Sequence, residues 1–194
     1  MAGMALFAAC TGGSSPDTRG SGPSATPTTP SATSPPAEPF VRTCEDNVYG
    51  DLGFDWRDRS VVVGAIAFVG LPFAATAPRS DFTPDKEGFK RVKALAVVDR
   101  GTEVTVIIPP DERGHVALVY DPAAFDSTQI ADGETSVNFH ACGKGEGGFP
   151  GPTQFNGGFI VDGPQCATID VLNAANGLWK RVNVAFGRGA CASG

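Results

Sequence analysis

A chain of 194 residues with a formal charge of -6 has room for one domain and a tail. Its acidity, without a clustered run of Lys and Arg, speaks against nucleic acid as a partner, because neutralising phosphates needs cations. Five cysteines lack metal-like C-x-x-C spacing and only two histidines could assist them, so neither a metal nor another cofactor is expected.

The chain opens with nine residues that carry no Lys or Arg before Cys10. That is too short and too uncharged for a whole signal peptide. Residues 1–9 therefore read as the remnant of one, with translation expected to begin upstream. Leu6, Ala8, Ala9 and Cys10 resemble the lipobox of bacterial lipoproteins, with Phe7 where such sequences usually carry Leu. The resemblance implies a diacylglyceryl group on the Cys10 thiol. It also implies a membrane partner reached through that lipid, on the outer face of the cytoplasmic membrane.

Residues 10–40 are almost entirely Thr, Ser, Pro, Gly and Ala, with Phe40 as the single large apolar side chain. Such a segment cannot bury enough surface to offset its ordering entropy. It is expected to be a disordered tether, roughly 30 Å long as a coil and about 90 Å as polyproline II. Ser and Thr beside Pro also leave O-glycosylation open.

A single domain is expected over residues 41–194. Residues 45–59 are polar with isolated aromatics, Tyr49, Phe54 and Trp56. They read as an ordered loop whose aromatics plug into the core. The alternative is an exposed platform on which Tyr49 and Trp56 meet a sugar or a partner. Residues 60–71 are apolar and β-branched at their start. They read as one buried strand with Gly64 as a bulge or kink, against a buried helix. Residues 78–91 read as an exposed loop.

Residues 92–99 and 102–108 are predicted to pair as a hairpin, with Gly101 supplying the left-handed turn position. Residues 115–120 form the next strand. Pro122 sits at the first position of a helical turn. Residues 135–142 and 158–161 add strands. Residues 166–173 and 178–186 form a second hairpin, marked by the strongest local signal in the chain, Asn176-Gly177. Seven or eight strands with frequent turns predict an all-β domain. The type expected is an antiparallel β-sandwich of immunoglobulin-like kind, with a jelly roll or small barrel as the alternative.

Cys44, Cys142, Cys166 and Cys191 all fall in this domain, and four cysteines allow three pairings. Because domain termini often lie close together, the expected pairs are Cys44 with Cys191 and Cys142 with Cys166. The second would staple the loop between them, with Phe149 at its tip as a further candidate partner surface. Disulfides imply an oxidising compartment outside the cytoplasm.

His140 and Cys142, two apart in a strand, would share a face. A thiolate beside an imidazole is a nucleophile, which makes a cell-wall enzyme the rival hypothesis. The surrounding residues lack the Ser-His-Gly-Cys run of the cell-wall transpeptidases. The whole chain, with its lipobox, Thr/Ser/Pro tether and cysteine-stapled β-domain, resembles secreted lipoproteins of high-GC Gram-positive bacteria. That resemblance bears on location and leaves activity open. The leading expectation is a non-enzymatic binding or structural domain at the cell envelope. Its expected partner is a cell-wall glycan or an envelope protein.

Overall fold

The computed structural model describes residues 38–147 and 150–191. Cys10, residues 11–37 of the tether and Phe149 lie outside the described residues, and Phe40, expected to end the tether, instead begins the first strand. The fold is all-β, with several mainly antiparallel sheets and little helix.

One sheet has five strands in the order β1 (Phe40–Arg42), β8 (Ser136–His140), β6 (Glu103–Ile107), β11 (Gln165–Asn173) and β12 (Leu178–Phe186). Its pairings are antiparallel except at the edge, where β1 runs parallel to β8. A four-stranded sheet orders β2 (Ser60–Val63), β3 (Ile66–Val69), β5 (Leu95–Val98) and β9 (Thr153–Phe155). A three-stranded sheet orders β4 (Lys90–Lys93), β10 (Gly158–Val161) and β7 (Val116–Val119). These two smaller sheets are halves of one layer. Val98 faces Thr153 at one end, Lys90 faces Val161 at the other, and the register between them is unbroken. The Ala94 amide donates to the Gly157 carbonyl where the strand labels lapse.

Alternation explains the core. Along β6 and β8, Val104, Val106, Val137 and Phe139 are buried while Thr105 and Asn138 are not. They meet Ile66, Phe68, Leu118, Phe155 and Phe159 from the other layer in one cluster. Aromatic contacts bridge the layers, Phe139 to Phe155 at 5.2 Å and Phe159 to Phe186 at 5.7 Å between ring centroids. Burying each such ring contributes about 1.5–3 kcal/mol. A second, smaller cluster of Val119, Ala124 and Ile160, with Phe89, Phe125 and Ile130 against it, forms where residues 121–130 pack on β7 and β10.

Three expectations are corrected. Residues 60–71 hold two strands, because Gly64 at φ 63° makes a tight turn with Ala65 and folds β2 back on β3. The run is apolar throughout since β3 is central, which hides the turn from periodicity. The short helix α1 (Leu71–Thr76) then follows. Next, β5 and β6 do not pair. The turn at Gly101 forms as expected, but it carries the chain from one layer to the other. The hairpin of β11 and β12 forms as expected, with the Gly177 amide donating to the Asn173 carbonyl at 2.9 Å.

The disulfides also pair differently. Cys44 is bonded to Cys142 and Cys166 to Cys191. The parallel pairing sets Arg42 opposite Phe139, so the chain segments leaving β1 and β8 emerge side by side. Cys44 and Cys142 follow directly, with Cα atoms 4.6 Å apart. At the other staple, the Gly187 and Gly189 amides donate to the Ala74 and Ala75 carbonyls of α1. That turns the chain back toward Cys166, 5.7 Å from Cys191 between Cα atoms.

Candidate functional site

The aromatic loop is held by three sets of contacts. The first is the Cys44–Cys142 bond at its base. The second is the edge of β9, where the Val48 amide donates to the Gln154 carbonyl at 2.8 Å and the Gln154 amide to Asn47 Oδ1 at 2.9 Å. The Gln154 side chain also donates to the Gly50 carbonyl at 2.9 Å. The third is Arg59, which donates to the Leu52 carbonyl at 2.9 Å and to Asp55 Oδ1 at 3.0 Å. Together these hold residues 45–59, expected as an ordered loop, against the sheet edge, with short 3-10 turns at Cys44–Asp46 and Trp56–Arg59.

Its aromatics do not plug into the core. Tyr49 is 53% exposed and Phe54 wholly exposed, while Trp56 is half-buried. The reason is local: β9 already fills the inner side with Phe155, leaving the loop to lie along the sheet edge. Tyr49 and Trp56 stand instead at the protein surface. Both line a groove of about 540 Å³ with Leu52, Pro150 and Pro152 as apolar neighbours and Asn47, Asp51 and Gln154 as polar ones. The Arg57 guanidinium lies 4.5 Å from the Trp56 ring centroid and 3.8 Å from Asp99. One face of Trp56 is thereby covered by a cation.

Sequence reasoning missed Gln154 and the two prolines as part of this groove. The Pro150-Gly151-Pro152 run was the available signal, since it stiffens the facing segment.

Arg42 anchors the start of the loop. It is buried, and its guanidinium donates to the Tyr120 carbonyl and, at 3.3 Å, to the Asp46 carbonyl. Its Nε lies 3.5 Å from Asp46 Oδ2. The pair ties β1, the loop and the end of β7 together.

The rival pair of His140 and Cys142 is not assembled. β8 ends at His140, whose exposed imidazole lies 3.7 Å from Glu103. Cys142 turns inward and its sulfur is committed to Cys44. The other imidazole, His115, is hydrogen-bonded to Asp162 at 2.5 Å, which raises its pKa. Among the described residues neither histidine is hydrogen-bonded to a hydroxyl or thiol.

Two disulfides point to an oxidising, extracytoplasmic environment. Among the described residues no group of His, Cys, Asp and Glu could hold a metal ion, and no helix is long and apolar enough to cross a membrane. In comparisons with protein-family models, curated proteins and solved structures, nothing matches the chain.

Proposed function

We propose that this chain is an extracytoplasmic, non-enzymatic binding domain, a two-layer β-sandwich held at the membrane by a lipid on Cys10. Its ligand surface is the groove between Tyr49, Trp56 and Pro152, and its ligand is a cell-wall glycan. The observation that carries this reading is the aromatic groove itself. Two exposed or half-exposed rings stand beside Asn47, Asp51 and Gln154 on a loop fixed by a disulfide. A sugar offers apolar C–H faces and a rim of hydroxyls, which suit aromatic faces and carboxamides in one pre-formed concavity.

The experiment is a fluorescence titration with soluble peptidoglycan fragments. The chain has two tryptophans, so a Trp179→Phe background isolates Trp56. Saturable quenching is expected, weakened about tenfold by Trp56→Ala, as for a central aromatic contact. No saturable signal with any wall glycan would overturn the ligand. Capture of an envelope protein through the same Trp56 would replace it with a protein partner. Intact mass of the mature protein reads the lipid: an unmodified Cys10 would remove the anchor.

A further inference from the structure

We propose a second ligand site, independent of the aromatic groove: a trough on the outer face of β4 and β10 that takes a small organic anion with a flat apolar body. Alternation along β4 turns Val92 to the core and Arg91 and Lys93 outward. The register sets Lys93 opposite Gly158, and Gly158 opposite Val119. The middle strand thus has no side chain where its neighbours have a cation and a valine.

Packing enforces that gap. A Cβ on Gly158 would lie 2.0 Å from the Val92 carbonyl oxygen, and one on Gly157 would lie 2.2 Å from the Tyr120 ring. Phe125, packed against the small cluster of Val119, Ala124 and Ile160, makes the far wall. The resulting concavity is about 440 Å³, within the range of roughly 300–1,000 Å³ usual for small-molecule sites.

The polar groups around it share one preference. Among the described residues Lys93 makes no ion pair and the Asn156 carboxamide makes no hydrogen bond. Arg91 has Asp126 at 3.7 Å, and that carboxylate is wholly exposed and free to swing away. Two cations and a free amide therefore converge over an apolar floor on a protein of charge -6. A carboxylate would sit between Arg91 and Lys93, and an aromatic or short aliphatic body would lie on Val119 and Phe125.

The test uses one ring with three head groups: naphthoate, naphthylmethanol and naphthylmethylammonium, titrated into ¹⁵N-labelled protein. Naphthoate is expected to shift the amides of Lys93 and Asn156 to Phe159, and to bind about tenfold tighter than the alcohol, from two partly exposed charge contacts. The ammonium is expected to bind weakest. Arg91→Ala with Lys93→Ala, both outside the core, should reduce naphthoate to the affinity of the alcohol. Asp126→Asn, which removes the competing carboxylate, should tighten it. Equal affinity for all three compounds, shifts confined to the Tyr49–Trp56 groove, or no binding at millimolar naphthoate would each overturn the proposal.

Discussion

The Tyr120 phenol is fully buried and donates to the Ala94 carbonyl at 2.9 Å. Burial pushes its pKa far above the ordinary phenol range. The hydroxyl therefore acts as a neutral donor at any physiological pH. Tyr120→Phe keeps the ring contact with Phe139 and strands the Ala94 acceptor, so a loss of about 1–3 kcal/mol is expected in urea unfolding. His115 gives a pH signature instead. Its hydrogen bond to the Asp162 carboxylate raises the imidazole pKa above 6.5. The resulting stability is fully present below the unfolded-state pKa and is lost as the pH rises through the folded one. Asp162→Asn should therefore lower Tm most between the carboxylate range and pH 6.5, with the gap narrowing toward alkaline pH. A gap that does not narrow as the pH rises above 6.5 would refute the pairing.

At the scale of elements, local signals in the sequence carried through and non-local ones did not. Asn176-Gly177 encodes its hairpin because both partners lie within a few residues, and the Pro122 turn forms with Asp121 capping the Ala123 amide at 2.8 Å. Gly101 marked a real turn, but no residue near it states which layer receives the next strand. The cysteines posed the same difficulty. The Cys44–Cys142 bond follows from the parallel pairing of a three-residue strand with one almost a hundred residues away. For the candidate groove, Tyr49 and Trp56 were legible by type. Their exposure depended on β9, a short strand whose edge the loop covers. The staples differ in reach, spanning separations of 98 and 25 residues. Loop entropy assigns them about 4.7 and 3.5 kcal/mol. Cys44→Ser with Cys142→Ser should therefore destabilise the domain more than Cys166→Ser with Cys191→Ser, measured by denaturant midpoints.

All the sheets of the described residues contribute to one main core, and two covalent staples, Cys44–Cys142 and Cys166–Cys191, tie the chain. The first described strand, β1, is also a sheet edge, and the chain reaches it from the Thr/Ser/Pro stretch. This has a mechanical consequence. Tension applied at the N-terminal side can peel Phe40–Arg42 from β8, but at Cys44 the load passes through sulfur to Cys142. Residues 45–141, including Tyr49, Trp56, Arg91 and Lys93, are bypassed. At the far end the Cys166–Cys191 bond diverts the load again. A pull on both termini then strains only residues 142–166 of the stapled span, where β9 and β10 lie. Single-molecule stretching should show short extensions under oxidising conditions. Reduction should add roughly 330 Å of contour from the larger loop at about 3.4 Å per residue. A domain wired this way can be tugged from outside without most of its chain bearing force.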